Sequence, residues 1–381
     1  MKSQYKFVLI VVSLILLAGC SWQSANIVVR ENNRYASGFA LYDSARYRVA
    51  VLYSPWDKGN EMQRYYLTRD TSDSKEMKRM QGKTVVQVPL ERIGLTSCTH
   101  LGFLDAIDGL SSVIGMCSPE LAYCDLDNNP HILNLGDAMT PNVERIVLAH
   151  SDMMFVSTYA HGDATSAQLV KLGVPVLYIN EWMEQHPLAR AEWIRLVGAF
   201  LDKEALADSV FNSVATRYEQ LCEQVKTVGT ENKPSIMSGQ DFRGTWYVPA
   251  GNTFMGRLFR DAGASYRYED MEHDGSIPLT LEQAMVDFAD ADVWIGVTVR
   301  SLKELALVDK QHRMFRSYQT GRVYHLMRRS TPSGGNDFWE RGVVHPDEIL
   351  GDLVSVLYPD LVSSACPGLF PWQPVFIEQL R

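Results

Sequence analysis

Aromatic side chains that could stack against a flat solute lie in segments that the sequence predicts as loops after strands. Glycines and prolines mark the neighbourhoods of Trp246 and Trp339 as loops. Aromatic rings are flat and bury a large area, so they suit a macrocycle or a catecholate. The predicted binding residues are Tyr159, Trp182, Gln240, Phe242, Arg243, Trp246, Tyr247, Phe338 and Trp339. For Trp182 and Phe338, a place in the core is an equal alternative.

Arginines near these aromatic residues could neutralise an anionic solute. Arg243 and Arg300 form one candidate pair, and Arg328 and Arg329 form the other, although the second pair could also be ordinary surface charge. A guanidinium group keeps its charge and binds planar anions through paired hydrogen bonds. Tyr159 could ligate a haem iron through its phenolate, but stacking or hydrogen bonding is the simpler role. The site is therefore typical of binding rather than of catalysis.

Catalytic and metal-binding motifs give no positive support for other chemistry. The sequence contains no G-x-S-x-G, H-E-x-x-H or Walker motif, and Ser72 and Lys75 have serine–lysine spacing only within a polar, charged stretch. Its histidines are scattered without the spacing of a zinc site. We expect no enzymatic activity and no resident cofactor or metal. An enzyme, a binder of bare zinc or manganese, and a surface scavenger without a transporter remain the alternatives.

The N-terminus has the pattern of a lipoprotein signal peptide. Lys2 and Lys6 precede an apolar run over residues 7–17, and small residues lead directly into Cys20. The run is short for a membrane-spanning helix, and the small residues allow cleavage before the cysteine. We predict a signal peptide over 1–20, a lipid on Cys20 and a tether over 21–34. The protein would then be anchored on the periplasmic side of a membrane; an uncleaved anchor is the alternative.

Composition and cysteine content narrow the partners further. The chain has 381 residues and a formal net charge of −9, without a Lys/Arg-rich stretch, so we expect no nucleic-acid partner. After Cys20, an odd number of cysteines remains, so at least one thiol is free or pairs elsewhere. The sequence leaves the pairing open, including a bridge between Cys117 and Cys124. These cysteines are Cys98, Cys117, Cys124, Cys222 and Cys366.

Two α/β halves separated by a helical stretch must position these residues. Short apolar runs alternate with helical patterns, which is typical of α/β units. The predicted strands of the first half cover 48–53, 84–88, 112–116, 153–157 and 175–179, and its helices 97–107, 143–149 and 165–172. A helix over 203–226 would be about 36 Å long and could reach from one lobe to the other. The later elements cover 234–237, 254–262, 281–289, 293–297, 302–306, 323–326 and 346–358.

The predicted fold class is α/β, with two Rossmann-like lobes, a single long interlobe helix and a ligand cleft between the lobes. The predicted domains are an N-terminal lobe over 35–186, a helical linker over 187–232 and a C-terminal lobe over 233–381. A repeated pattern favours two similar lobes: Glu144 and Glu282 each open a helix and each precede an aspartate, Asp152 or Asp290, by eight residues.

Several segments, in this order, resemble the solute-binding proteins for siderophores, haem and cobalamin that serve ABC importers. The resemblance covers about residues 85–359, while the tether and the segment 54–83 match nothing in that family. The segments are Pro141-Asn142-Val143-Glu144-Arg145-Ile146-Val147, Gln168-Leu169 through Leu172-Gly173-Val174-Pro175-Val176, Trp246-Tyr247-Val248-Pro249-Ala250-Gly251 followed by 258–263, Leu281-Glu282-Gln283-Ala284, and Asn336-Asp337-Phe338-Trp339-Glu340-Arg341.

The resemblance implies a binding protein that delivers a metal chelate to a permease and its ATPase. In that family an acidic residue on each lobe docks into an arginine pocket of the permease, and Glu144 and Glu282 are the matching positions. Each glutamate could also simply favour the first turn of its helix. The arginines near the predicted cleft favour an iron chelate, either a siderophore or haem, and a corrinoid such as cobalamin is the alternative.

Overall fold

The structure is a computed structural model that describes residues 28–29, 33–44, 47–124, 126, 131–160, 162–227, 233–273, 275–363 and 371–381. Within these ranges, the chain forms two α/β lobes, each built around a five-stranded and mostly parallel sheet. Another five-stranded sheet precedes the first lobe, and a three-stranded sheet is attached to the second.

The N-terminal sheet includes most of the segment that the family resemblance left unplaced. Its strands are β1 (Val28–Val29), β2 (Phe39–Asp43), β3 (Arg48–Tyr53), β4 (Glu61–Thr68) and β5 (Val85–Gln87), and helix α1 (Ser74–Arg79) lies between the last two. The strands pair in sequence order, antiparallel except for β4 with β5. Phe39 packs edge to face on Trp193 at 5.3 Å, and Tyr65 on Phe200 at 5.6 Å. The sheet therefore buries one face against the helical linker.

The first lobe has an entirely parallel sheet in the order β10-β9-β6-β7-β8. Its strands are β6 (Ile93–Leu95), β7 (Val113–Met116), β8 (Leu133–Asn134), β9 (Met153–Val156) and β10 (Val176–Tyr178), and its helices α2 (Thr99–Ala106), α3 (Val143–Ala149) and α4 (Ala164–Lys171). β6 and β9 are apolar and buried throughout, as expected for central strands covered on both faces. Gln63 of β4 bonds the edge strand β10 through Val176 O at 2.9 Å and Tyr178 N at 3.1 Å.

A single long helix joins the lobes, as the sequence predicts. The linker comprises α5 (Pro187–Glu192), α6 (Ile194–Phe200) and α7 (Glu204–Lys226), and the 23 residues of α7 span about 35 Å. Lys203, which directly precedes α7, donates its ammonium group to Ile107 O at 2.9 Å and to Asp108 O at 2.7 Å in the first lobe. Further along, the Tyr218 hydroxyl donates to Asp261 of the second lobe at 2.7 Å. The helix therefore contacts the first lobe's side at one end and the second lobe at the other.

The second lobe repeats the parallel core and adds a small antiparallel sheet. Its strands are β11 (Ser235–Ser238), β12 (Asp241–Phe242), β13 (Thr245–Pro249), β14 (Ser265–Tyr266), β15 (Ser276–Leu279), β16 (Val293–Val297), β17 (Val323–His325) and β18 (Glu378–Gln379). The main sheet has the order β14-β11-β16-β17-β18, with β18 antiparallel, and the small sheet has the order β12-β13-β15.

The helices of the second lobe are α8 (Phe254–Asp261), α9 (Leu281–Phe288), α10 (Leu302–Val308), α11 (Arg316–Gln319), α12 (Arg341–Val344), α13 (Pro346–Leu357) and α14 (Pro359–Ser363). Short 3-10 helices cover Leu110–Ser112, Pro119–Leu121, Glu181–Met183 and Lys310–Met314.

The predicted fold class is confirmed, and most predicted elements lie within a few residues of their observed bounds. Helix α3 and strands β3 and β16 have the predicted bounds. The prediction missed β2, β4, β6 and the small sheet of the second lobe. In the part of the chain that the structure describes, no helix combines the length and hydropathy needed to cross a membrane. The predicted lipidation site Cys20 lies outside the described residues.

Candidate ligand-binding site

Two aromatic residues of the first lobe meet where its central strands end. Tyr159 follows β9 and Trp182 follows β10, and their ring centroids lie 5.4 Å apart with an interplanar angle of 34°. Thr158 links the two loops, because its backbone N–H donates to the Asn180 side chain at 3.0 Å. Tyr159 is exposed, and Trp182 is half-buried. The structure therefore brings these two predicted residues together at the carboxyl edge of the sheet, where open α/β sheets bind ligands.

A buried acid lies beside this aromatic pair. The Glu181 side chain is buried and hydrogen-bonds to the Thr99 side chain, while its Oε2 has no hydrogen-bond partner among the described residues. Burial raises the pKa of Glu181 to about 7, because the charged form loses its hydration, although Thr99 and Arg190 oppose the shift. The negative charge of Glu181 also contributes, after burial itself, to the raised pKa of Tyr159. No local sequence pattern marks this acid as a site residue.

Arg190 connects this turn to the second lobe. Its guanidinium donates to the carbonyl oxygens of Trp182 at 2.5 Å and Glu184 at 3.0 Å, and it lies over the Phe254 ring at 4.2 Å from the centroid. Phe254 begins α8 of the second lobe. Burial lowers the pKa of Arg190 to about 10. Arg190 therefore contacts both the turn that carries Trp182 and the first residue of α8 in the second lobe.

In the second lobe, the β12–β13 hairpin carries three of the predicted residues on its exposed side. Phe242, Arg243 and Tyr247 are all exposed, and the Arg243 guanidinium lies 5.2 Å from the Phe242 centroid. Arg243 has a φ of 56°, a left-handed conformation at the tip of the hairpin. Gln240 hydrogen-bonds Thr298 twice, through the hydroxyl at 2.7 Å and the backbone N–H at 2.8 Å. Gln240 thus fixes the loop after β11 to the loop after β16.

The prediction for Trp246 is wrong. Its side chain is 0% exposed, stacks on Trp294 at 5.4 Å, and donates its indole N–H to Ser238 O at 2.9 Å. The cause is the alternation of strand β13, which turns Trp246 inward and Tyr247 outward. The neighbouring glycines and prolines mark the ends of this strand and not a long loop.

The two aromatic residues of the late loop also separate. Phe338 is buried against Phe376 at 5.9 Å, so the core alternative holds and the ligand-wall prediction is wrong. Trp339 is 46% exposed and packs edge to face on Phe338, with centroids 4.7 Å apart. The buried ring therefore supports the exposed one.

The candidate arginines differ in how far their charge is already compensated. Arg329 pairs with the buried Asp337 at 2.5 Å and lies over the Tyr123 ring at 5.1 Å. Arg300 donates to the Ser330 hydroxyl at 2.6 Å, a neutral partner. Arg243 and Arg328 are exposed. The side chains of Arg243, Arg300 and Arg328 thus have no carboxylate partner in the part of the chain that the structure describes.

The lobes touch directly through a contact that the sequence did not predict. The buried Glu340 of the second lobe accepts the backbone N–H groups of Tyr123 and Cys124, both at 2.8 Å. Burial raises the pKa of Glu340. Its partners are about 216 residues away in the chain, and no local pattern reports such a contact.

The predicted docking glutamates have equivalent positions. Glu144 and Glu282 are exposed in the first turns of α3 and α9, whose N-terminal N–H groups are capped by Asn142 at 3.0 Å and Thr280 at 3.1 Å. Hydrogen bonds from its own backbone N–H and from Thr280 lower the pKa of Glu282. They therefore stabilise the negative charge of this glutamate.

The repeated lobe pattern needs one correction. Asp152 accepts the backbone N–H of Arg92 at 2.9 Å, and Asp292 accepts that of Ser235 at 2.9 Å. Each aspartate therefore precedes a central strand and holds the start of its neighbour. Asp290, the predicted counterpart of Asp152, is exposed instead. The eight-residue spacing is misleading because α9 is one residue longer than α3 and the connection from α9 to its aspartate is also one residue longer.

The cysteines and metal ligands give no further site within the described ranges. Cys98, Cys117, Cys124 and Cys222 are free, so the bridge between Cys117 and Cys124 is not formed. Cys366 lies outside the described residues. In the described part of the chain, no group of three or more His, Cys, Asp or Glu side chains could hold a metal ion.

Two α/β lobes with mostly parallel sheets and one interlobe helix define the class of two-lobed solute-binding proteins. The sequence profile described as periplasmic binding protein matches residues 101–329, and the chain belongs to this family. An uncharacterized lipoprotein of Methanocaldococcus jannaschii is 26% identical over 290 residues, covering 72% of this chain and 67% of that protein. A second one is 24% identical over 338 residues, covering 79% and 82%.

Solved structures share the fold at low sequence identity. They include the ABC transporter solute binding protein of Sulfurospirillum deleyianum, with 19% identity and a TM-score of 0.54, covering 72% of this chain and 85% of that one. The Ceue protein of Helicobacter pylori with Ni(II) bound has 13% identity and a TM-score of 0.58, covering 74% and 88%. The periplasmic heme-binding protein RhuT of Roseiflexus has 17% identity and a TM-score of 0.57, covering 71% and 99%.

Proposed function

We propose that this chain is the solute-binding component of an ABC importer that captures an iron chelate, either a siderophore or haem, and delivers it to the membrane permease. One observation carries the proposal: exposed aromatic rings occur in both lobes, in loops that follow strands of the main sheets and on the exposed face of the hairpin strand β13. Tyr159 lies on the first lobe, and Tyr247 and Trp339 lie on the second. Large exposed rings on rigid supports suit a bulky, flat ligand.

Charge supports a chelate with anionic groups. Among the described residues, Arg243, Arg300 and Arg328 have no carboxylate partner for their side chains, so their charges are available to a ligand. A guanidinium binds carboxylate and catecholate oxygens in a fixed geometry. A structural neighbour is named as heme-binding, which agrees with this ligand class.

A corrinoid is the second candidate, and two observations favour it. Glu181 is a buried acid beside Tyr159 and Trp182, and its charged form would repel an anionic ligand. Asp337 already neutralises Arg329. Both reduce the positive potential that a polyanionic chelate requires, whereas a corrinoid requires little charge compensation.

Delivery would depend on the lipid anchor and on the two docking glutamates. A lipid on Cys20 would anchor the protein on the periplasmic side of a membrane, and two relatives are named as lipoproteins. Glu144 and Glu282, one on each lobe, would bind cationic groups on a permease.

The ligand can be identified on the protein purified from its own membranes. An absorbance spectrum and mass spectrometry of the bound material would distinguish haem, a ferric siderophore and a corrinoid. Titration with haemin, a ferric tris-catecholate and cyanocobalamin, followed by tryptophan fluorescence, would then give affinities. We expect one probe to bind with 1:1 stoichiometry. Binding of none of the three, with no chelate in the isolated protein, would contradict the proposal.

A further inference from the structure

The first lobe has an apolar groove beside Glu144. A groove of about 450 Å³ runs between α3 and α4, and nearly all of the surface area that lines it is apolar. Leu148 is 67% exposed on this surface. It lies one helical turn after Glu144, so the two side chains are neighbours on the helix. The residues that line the groove are Val143, Glu144, Val147, Leu148, Gln168 and Leu172. A carboxylate and an aliphatic patch are therefore presented side by side.

The second lobe presents the same pair on α9. Val286 is 79% exposed and lies one turn after Glu282. The six positions 143–148 and 281–286 have the same order of half-buried, exposed, exposed, buried, half-buried and exposed residues. Both helices are also capped in the same way, by Asn142 and Thr280. The exposed aliphatic residue is thus part of a surface that is repeated in both lobes.

This repetition separates the two aliphatic residues from ordinary surface leucines and valines. A singly exposed apolar side chain is common and requires no explanation. An exposed aliphatic residue four positions after an exposed glutamate, in equivalent helices of two lobes that differ in sequence, does require an explanation. Two equivalent surfaces on one molecule fit a partner with two equivalent sites, such as a twofold or pseudo-twofold membrane protein.

We propose that the permease recognises two matched epitopes, Glu144 with Leu148 and Glu282 with Val286, and that an apolar side chain of the permease enters the groove beside α3. The inference rests on the proposed transport function and adds the apolar half of the interface. The carboxylates select cationic groups on the partner, while the aliphatic residues exclude water around the ion pairs.

The test removes the aliphatic contacts without changing any charge. The full lipoprotein is reconstituted in liposomes with its permease and ATPase, and the concentration that half-maximally stimulates ATP hydrolysis is measured without solute. We expect Leu148→Ser and Val286→Ser each to raise this concentration about tenfold, and the double variant about a hundredfold, since distant sites add. Leu307→Ser is the matched control, because Leu307 is 77% exposed on another helix, α10.

The outcomes separate the inference from the function on which it rests. A double variant that stimulates as well as the wild type overturns the inference, whereas a wild type that never stimulates overturns the proposed function. Hydrogen exchange of 143–149 and 281–288 should slow only in liposomes that contain the permease. Slowing in permease-free liposomes would make a lipid surface the occupant. If the protein forms a dimer that Leu148→Ser dissociates, the occupant of this surface is a second copy of the chain. Either of these two results overturns the proposal.

Discussion

At the scale of single residues, consecutive aromatic side chains have opposite environments. Trp246 is enclosed by Trp294, His312 and Phe315, whereas Tyr247 faces solvent from the same strand. Phe338 and Trp339 show the same division in a loop. In each pair the buried ring fixes the backbone that presents the exposed ring. Stability and ligand affinity should therefore respond to different members of each pair.

Replacement of Trp246 should affect stability. Trp246→Ala should lower the free energy of unfolding by about 3–5 kcal/mol, because it leaves a large cavity and an unpaired Ser238 carbonyl. Tyr247→Ala, one residue away on the exposed face, should change it by about 0.5 kcal/mol or less. Chemical denaturation of both variants measures the difference. Equal losses would show that Trp246 is not a core residue.

Replacement of Trp339 should affect binding. Trp339→Ala should weaken the tightest of the three probe ligands about tenfold, since one stacking ring is lost, with little change in stability. Met314→Ala serves as the control, because Met314 is also exposed but lies in a 3-10 helix outside the candidate site. An unchanged affinity for Trp339→Ala would remove this residue from the site.

Glu181 should make stability depend on pH. Its folded pKa is raised from 4.5 to about 7 by burial, so between these values the folded state retains a proton that the unfolded state releases. Stability therefore falls as pH rises through this window. Glu181→Gln lacks this dependence, and its free energy of unfolding relative to the wild type should increase between pH 4.5 and pH 7. Denaturation curves at several pH values test this; a constant difference would contradict it.

At the scale of elements, close packing joins the interlobe helix to the second lobe. Val225, near the end of α7, lies against Gly263, and a Cβ on that glycine would approach Val225 Cγ1 to 2.4 Å. Gly263 also has a φ of 74°. The glycine is therefore required both by backbone conformation and by space.

A pair of glycine substitutions separates these two requirements. Gly263→Ala should lower the free energy of unfolding by about 2–4 kcal/mol, combining left-handed strain with overpacking. Gly321→Ala is the matched control, since Gly321 has a φ of 72° and no atom within 4 Å of the added Cβ. It should cost only about 1 kcal/mol. Thermal and chemical unfolding give both values, and equal costs would show that α7 is not packed tightly here.

The sequence predicts the elements whose pattern is local. Apolar runs and helical periodicity place α3, α7 and β16 correctly, because a buried strand or an amphipathic helix repeats at a short spacing. The local pattern misses strand β4 (Glu61–Thr68) because three of its first four residues are polar and none of these four is buried. The end of the predicted tether and the residues after it are held by an acid that is distant in sequence. Glu192 accepts the backbone N–H groups of Arg34, Tyr35 and Ala36, all at 2.8 Å.

The candidate site was predictable only in part for the same reason. Tyr159 and Tyr247 are exposed at predicted loop or strand-edge positions, but the outward and inward faces of β13 depend on its register with β15. Glu181 and Glu340 depend on tertiary contacts, with Thr99 and with Tyr123, that no local spacing reveals. Composition indicates which residues could bind a chelate, and packing decides which of them can.

At the scale of the whole molecule, the predicted docking glutamates lie in the first turns of α3 and α9, whereas the exposed aromatic residues of the candidate site lie on other elements: Tyr159 and Trp339 in loops and Tyr247 on β13. Binding and delivery should therefore be separable. Glu144→Arg combined with Glu282→Arg should abolish uptake of the bound probe while leaving its affinity within about twofold, because both carboxylates are exposed on helices that carry none of the candidate binding residues. Transport into proteoliposomes and fluorescence titration test the two halves. Unchanged uptake would exclude docking through these residues.

The central claim is that one solute is held by both lobes at once. Hydrogen exchange of the protein with and without the tightest of haemin, the ferric tris-catecholate and cyanocobalamin tests it most directly. We predict slower exchange at 157–159 and 180–183 of the first lobe together with 239–247 and 327–339 of the second. Slower exchange confined to one lobe, or to neither, would contradict the account.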